Sequence, residues 1–130
     1  MKRLLPFVFS ISLACAVPTV STVDWDPACD GSSIEIVTDD SKTVSVQASA
    51  FHSAKILSWT IHYLDGLPIS AEFRESNRGR ISEGEKAGEY SGDNPLTRLV
   101  TCTWVDGKVR LADKALAKEL MEILARVSPR

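Results

Sequence analysis

Apolar and polar residues alternate along two stretches of the chain, and an Asp-Gly pair interrupts each stretch. The first stretch, residues 56–74, turns around Asp65-Gly66, and the second, residues 96–111, turns around Asp106-Gly107. Alternation with a period of two places successive side chains on opposite faces of a sheet, and Asp-Gly favours a tight hairpin turn. These stretches therefore predict two β-hairpins, each with one apolar face.

The requirement for one apolar face selects the register of the first hairpin. A three-residue loop at residues 64–66, ending in a G1 bulge, opposes Trp59 to Ala71 and Ile61 to Ile69. A two-residue loop mixes apolar with polar residues in this stretch, and a slip of one residue is costly when one face is buried. We therefore predict the three-residue loop.

The other hairpins follow from the same reasoning. A two-residue loop in the second hairpin opposes Trp104 to Val109 and points Cys102 into the core. A further hairpin across residues 33–50 is predicted from two β-prone runs, with a five-residue loop at residues 38–42.

The period of the apolar residues changes near the end of the chain. Asp113 is a suitable N-cap for a helix from Lys114 to about Val127. Its apolar residues recur at helical spacing: Leu116, Leu120, Ile123, Leu124 and Val127. The fold class is therefore predicted as α+β, an antiparallel sheet of about four to six strands packed by one C-terminal amphipathic helix. The core is predicted to contain Trp59, Ile61, Ile69, Phe73, Val100, Trp104 and Leu120.

The first sixteen residues have the pattern of a secretory signal peptide. A basic start is followed by an uncharged, mostly apolar run at residues 4–14, and small residues surround Cys15. We expect cleavage after Ala16 and a secreted or periplasmic protein. The alternative is a lipoprotein signal, in which Cys15 carries the lipid. The remaining chain divides into an extended lead-in, residues 17–32, and a single α+β domain, residues 33–130.

Removal of the signal peptide changes the composition. The 130-residue chain, with a formal net charge of −2, becomes 114 residues with a charge of −4, because Lys2 and Arg3 are lost. An acidic domain is not a nucleic-acid binder, and no later segment is apolar enough to cross a membrane.

Two cysteines remain after cleavage. Export permits a disulfide between Cys29 and Cys102, and the alternative is two independent buried thiols. These cysteines lack the close spacing to His52 and His62 that a zinc site requires, and no metal or other cofactor is expected.

A long polar segment, residues 75–95, separates the two Asp-Gly hairpins. About twenty residues without periodicity are uncommon in a compact domain, and such loops are usually functional or disordered. Arg78 and Arg80 precede a run rich in glutamate, and Tyr90 follows it. Arginine and tyrosine contribute strongly to protein interfaces, so Arg78, Arg80 and Tyr90 are the candidate binding residues.

The outward face of the first hairpin carries a weaker candidate site. His62, Glu72 and Arg74 are the residue types that acid–base hydrolysis of a phosphodiester needs. In the predicted register, however, Ser58 faces Glu72 and His62 faces Pro68. This separates His62 from Glu72 by four positions along the strands.

Three short motifs occur in an order similar to that in bacterial periplasmic inhibitors of C-type lysozyme. They are Cys29-Asp30-Gly31, Gly88-Glu89-Tyr90 and Trp104-Val105-Asp106-Gly107. The resemblance covers about a dozen residues with different spacing, and the C-terminal helix is not part of it. A resemblance of this extent implies neither the function nor the sites of those inhibitors for this chain.

The sequence favours an exported, non-enzymatic binding protein that acts through the loop at residues 75–95. An inhibitor, an immunity-type protein and an envelope accessory protein are all of this kind, and the expected partner is another protein. The alternatives are a small secreted hydrolase that uses the exposed sheet face and a structural envelope lipoprotein.

Overall fold

The computed structural model describes residues 17–25 and 29–127. The predicted signal peptide, with Cys15, lies outside these residues. The described chain contains seven strands and one helix: β1 (Thr19–Val23), β2 (Gly31–Asp39), β3 (Lys42–Phe51), β4 (Lys55–Leu64), β5 (Leu67–Asn77), β6 (Leu96–Val105), β7 (Lys108–Arg110) and α1 (Lys114–Val127).

The strands pair in chain order and every neighbouring pair is antiparallel, so the sheet is a meander from β1 to β7. This confirms the α+β class with one C-terminal helix. The sheet has more strands than the four to six expected, because the segment taken as an extended lead-in supplies β1 and the start of β2. In the described part of the chain, no helix is both long and apolar enough to cross a bilayer.

Alternation along the strands gives the sheet two unlike faces. The inner face, defined as the face under α1, carries the buried side chains of the sheet. Those of the central strands are Ile34, Ile36, Val46, Ala48, Ala50, Trp59, Ile61, Ala71 and Phe73. The outer face is the opposite one and carries mainly Ser, Thr and charged residues. Because successive side chains of a strand point to opposite faces, the pairing of the central strands places their apolar residues on one face and their polar residues on the other.

Trp59 is the centre of the inner face. Its neighbours in register are Ala48 on β3 and Phe73 on β5. The small Ala48 leaves room for the indole, and the Phe73 ring lies 5.1 Å from the indole between centroids, in a tilted arrangement. The indole Nε1 donates a 2.7 Å hydrogen bond to Glu119 Oε1 on α1. This bond gives the buried indole N–H an acceptor and ties the helix to the middle of the sheet.

The helix begins and ends where the sequence predicts. Asp113 Oδ1 accepts hydrogen bonds from the backbone N–H groups of Ala115 at 3.0 Å and Leu116 at 3.1 Å, which is N-cap geometry. Asp113 Oδ2 also accepts a 2.7 Å hydrogen bond from Arg98 on β6. The Arg98 bond, followed by the backbone bonds, lowers the pKa of Asp113 from its ordinary value. The cap therefore joins the start of the helix to the sheet as a carboxylate.

Each of the three short hairpin turns consists of two residues, and both residues have a positive φ. These pairs are Asp40-Ser41, Asp65-Gly66 and Asp106-Gly107. Positive φ at both residues is the feature of a type I′ turn, whose twist matches that of the flanking strands. The five-residue loop predicted between β2 and β3 is therefore wrong, because both strands continue to the Asp40-Ser41 turn.

The predicted register of the β4–β5 hairpin is also wrong. Trp59 pairs with Phe73 and Ile61 with Ala71, instead of with Ala71 and Ile69. The turn has two residues, and the register shifts between His62 and Tyr63. This bulge restores the apolar pairing that a simple two-residue hairpin would lose. The bulge also leaves Ile69 43% exposed, so Ile69 is not in the core as expected.

The β6–β7 hairpin agrees with its prediction, since Trp104 pairs with Val109 and Cys102 is buried. Trp59, Ile61, Phe73 and Leu120 are buried as predicted, whereas Val100 and Trp104 are partly buried at the margin of the core.

The predicted disulfide between Cys29 and Cys102 is wrong, because both cysteines are free. Cys29 precedes β2 and Cys102 lies on β6, four strand spacings away, or about 19 Å along the sheet. A disulfide needs Cα atoms less than about 7 Å apart. Burial raises the pKa of the Cys102 thiol, against a smaller opposing effect of a backbone hydrogen bond at Ala71, so the thiol stays protonated at neutral pH.

Replacing Glu119 with alanine tests the tie between helix and sheet. The substitution leaves the buried indole N–H of Trp59 without its acceptor, so we expect the free energy of unfolding to fall by about 1–3 kcal/mol. The matched control is Glu122→Ala, which removes an exposed carboxylate from the same helix and should change stability by less than about 0.5 kcal/mol. Urea denaturation followed by circular dichroism measures both. Equal losses in the two variants would contradict the role of the bond.

Candidate functional site

The polar segment between β5 and β6 folds back on itself. We call residues 78–95 the ribbon loop, because its two arms pair through their backbones. Gly79 N–H donates to Asp93 O at 3.1 Å, and Ser91 N–H donates to Gly79 O at 2.9 Å. Further along, Ile81 N–H donates to Glu89 O at 2.9 Å. The ribbon loop is thus closed by main-chain hydrogen bonds, although its sequence shows no strand periodicity.

Arg78 anchors the base of the ribbon loop. Its guanidinium carbon lies 3.6 Å from the centroid of the Tyr90 ring and 5.4 Å from that of Phe51 at the end of β3. Its Nη1 donates a 2.9 Å hydrogen bond to the carbonyl oxygen of His52 and lies 3.9 Å from Asp30 Oδ2. Only 20% of the Arg78 side chain is exposed. Cation–π contact strengthens when the cation is partly desolvated, so Arg78 holds the loop against the β3–β4 turn.

Arg80 and Tyr90 form the next level of the same anchor. They pair in an isolated bridge, with Arg80 Cζ 4.4 Å from the Tyr90 ring centroid. Arg80 donates hydrogen bonds to the Tyr90 hydroxyl at 2.9 Å, to Ser53 O at 3.2 Å and to Gly88 O at 3.0 Å. The Tyr90 hydroxyl itself donates to Ser53 O at 3.2 Å. Both arms of the loop are therefore fastened to one carbonyl group in the β3–β4 turn.

The three candidate binding residues are thus brought together, and all three make contacts within the chain. Their contacts position the ribbon loop, while the exposed parts of Arg80 and of Tyr90, which is 41% exposed, remain on its surface. Sequence reasoning missed Phe51 as a partner of Arg78. The sequence did offer one indication, because alternation along β3 places the aromatic Phe51 on the polar face of the sheet.

The tip of the ribbon loop is acidic. We define the acidic tip as residues 82–89, all of which are exposed. It carries three carboxylates, on Glu83, Glu85 and Glu89, and one ammonium group, on Lys86. Arg78 lies at the base and Arg80 reaches the tip at the Gly88 carbonyl, so the negative charge of the loop is carried by residues that follow both arginines in the chain.

The outer face brings the weaker candidate residues closer together than predicted. His62 pairs with Ser70 and Glu72 pairs with Thr60, so His62 and Glu72 are diagonal neighbours instead of four positions apart. Diagonal neighbours are about 7–8 Å apart. The cause is the same two-residue turn and bulge that changed the hairpin register.

The chemistry of this face is nevertheless limited. Arg74 Nε donates a 2.8 Å hydrogen bond to Glu72 Oε1, so the carboxylate that would act as a base is already paired with a cation. Two cavities lie away from this face. One, of about 350 Å³, is lined by Leu67 and Trp104 at the hairpin turns. The other, of about 380 Å³, is lined by Trp25 and Arg126. Small-molecule sites are normally concave, whereas His62, Glu72 and Arg74 stand on an open sheet face.

Comparison of the chain with known protein families, with characterised proteins and with solved structures finds no match. The short similarity to lysozyme inhibitors therefore rests on its three motifs alone.

Gly79→Ala tests whether the closure of the ribbon loop depends on its backbone pairing. A Cβ atom at Gly79 would collide with the carbonyl oxygen of Asp93 and lie 2.6 Å from Ser91 Oγ. The arms must then separate, so we expect tryptic cleavage after Lys86 to accelerate about tenfold or more, equivalent to roughly 1.4 kcal/mol of lost closure.

The control for this experiment is Gly31→Ala, whose added Cβ meets no atom within 4 Å. Unchanged cleavage in Gly79→Ala, or equal acceleration in both variants, would show that the loop is not held in this way.

Proposed function

We propose that this protein is an exported, non-enzymatic binding protein that captures a protein with a basic surface through the acidic tip of the ribbon loop. The observation that carries the proposal is the fastening of an eighteen-residue polar loop to the β3–β4 turn by Arg78, Arg80 and Tyr90. Inhibitors, immunity-type proteins and envelope accessory proteins act in this general manner.

The anchor supports binding because it orders the loop before a partner arrives. Ordering flexible residues at an interface opposes association, and a loop already fixed in its folded conformation avoids much of that cost. A solubilising loop has no need of two arginines stacked on one tyrosine ring. The acidic tip is thus presented from a fixed base.

The charge of the tip defines the class of partner. Three glutamates against one lysine attract a basic surface and repel the phosphates of nucleic acids. The remainder of the exported domain does not oppose this attraction, because its expected net charge is also negative. Complementary charge mainly raises the association rate, so we expect binding to weaken as salt concentration increases.

Export is proposed from the N-terminal pattern of a basic start, an apolar run and small residues. The proposed location is the periplasm or the extracellular medium, with cleavage after Ala16. Lipidation of Cys15 would retain the same domain at a membrane surface and would leave recognition by the acidic tip unchanged.

A second candidate function, hydrolysis on the outer face, is favoured by one observation. His62 and Glu72 are diagonal neighbours, and this distance suits concerted acid–base chemistry better than the predicted separation of four positions along the strands. The Glu72–Arg74 pair and the open face count against it. The two functions use different residues, so one set of variants distinguishes them.

The test is capture of a partner by the immobilised protein from the exported fraction of its native cells, followed by measurement of affinity for the captured partner. Intact mass of the exported protein first identifies its N-terminus, with Val17 expected. The double variant Glu83→Lys, Glu85→Lys should raise the dissociation constant about tenfold or more, which corresponds to roughly 1.4 kcal/mol.

The matched control, Glu35→Lys with Glu122→Lys, changes the net charge equally at exposed sites outside the loop and should retain affinity. His62→Ala should also retain it. Equal weakening in the control, or an enzymatic turnover lost in His62→Ala, would refute binding through the acidic tip.

A further inference from the structure

The two edges of the sheet differ in how they are protected. At one edge, β7 has only three residues, and two of them are Lys108 and Arg110. At the other edge, β1 has five residues, Thr-Val-Ser-Thr-Val, and carries no charge. Four of these five residues are exposed, and no described residue pairs with the edge of β1 that points away from β2. Among the described residues, β1 is thus the edge strand with neither charge nor a second pairing partner.

Unprotected edges are uncommon because their free N–H and C=O groups pair with other chains. Folded proteins usually shorten an edge strand or place lysine or proline in it. The edge at β7 shows the first two of these features. In β1, by contrast, all five residues are β-branched or serine, and Pro18 lies just before the strand, where it limits the length of a ladder without blocking it.

We propose that β1 pairs antiparallel with β1 of a second copy of this chain, about a two-fold axis at Ser21. In this register Ser21 opposes Ser21 of the other copy, Val20 opposes Thr22, and Thr19 opposes Val23. Val20 and Thr22 share the outer face, while Thr19, Ser21 and Val23 share the inner face, as their pairing with β2 shows. The two sheets then become continuous, with both helices on the same side.

The charges around β1 favour self-pairing. The nearest acidic residue, Asp24, would lie opposite Pro18 of the second copy, so no like charges meet. The corresponding self-pairing of β7 about Val109 would oppose Lys108 to Arg110 twice, and like charges directly opposite destabilise a strand pair. The two edges therefore select a closed dimer through β1 rather than continued growth of the sheet.

The size of the contact sets the expected affinity. Five residue pairs form an interface well below the roughly 800 Å² per partner of a stable complex, so a dimer in reversible equilibrium is expected. This proposal uses no residue of the ribbon loop and does not depend on the proposed function.

The test places opposite charges at Ser21, because Ser21 of one copy lies opposite Ser21 of the other copy across the two-fold axis. The exported protein and its variants are studied by sedimentation velocity over a range of concentrations. The unsubstituted protein should show a dimer fraction that rises with concentration. Ser21→Lys alone and Ser21→Asp alone should each weaken dimerisation about tenfold or more, because like charges face each other. An equimolar mixture of the two variants should restore the dimer.

Thr101→Lys, an exposed substitution on β6, is the control for the added charge and should dimerise as the unsubstituted protein does. Circular dichroism of each variant verifies the fold, and restoration by mixing shows that both variants remain competent to pair. The proposal is overturned if the unsubstituted protein is monomeric throughout, if Ser21→Lys dimerises normally, or if mixing restores nothing.

Discussion

One helix packs on one face of the seven-stranded sheet, and this constraint decides which side chains are buried and which face of the sheet meets water. In the described chain, α1 is the only helix, and its buried residues Leu116, Leu120 and Ile123 complete the core of the inner face. The hydrogen bond from Trp59 to Glu119 fixes the position of the helix over the central strands. A helix covers a stripe of a sheet on one side only, so the opposite side must remain compatible with water. The Ser, Thr and charged residues of the outer face meet this requirement.

The same constraint determines where recognition can occur. The core contains no buried charged or polar residue in the described part of the chain, and the outer face is open. The ribbon loop differs from both, because it is polar and extended yet fastened through Arg78, Arg80 and Tyr90. Its arginines satisfy carbonyl groups of the β3–β4 turn that a loose loop would leave to solvent. The loop is therefore a polar surface held in one conformation by side-chain contacts, and the negative charge at its tip favours basic partners.

Sequence reasoning was most accurate where a single local signal decides the structure. The helix from Lys114 to Val127 follows from an N-cap and an apolar stripe, and the β6–β7 turn follows from Asp106-Gly107. The β4–β5 register could not be derived in this way, because a bulge near Ile69 combines a two-residue turn with an apolar face. The cysteine pairing failed for a different reason. Counting thiols gives a pair, but only the order of strands shows that Cys29 and Cys102 lie on distant parts of the sheet.

The candidate site was predicted in part. Arg78, Arg80 and Tyr90 were singled out by residue type, and the structure brings them together, but their attachment to Phe51 and Ser53 depends on tertiary contacts across more than twenty residues. Periodicity carries no information about such contacts. The spacing between His62 and Glu72 was misjudged for the same reason as the register, since one bulge moves every pair beyond it.

The proposed binding role requires the ribbon loop to be a rigid platform rather than a flexible excursion. Backbone ¹⁵N relaxation of residues 80–92, compared with β5 and β6 in the same protein, measures this rigidity. We expect order parameters near 0.85, about those of the strands, through the paired arms of the loop. Order parameters below about 0.6 through those arms would show that Arg78, Arg80 and Tyr90 do not hold the loop rigid.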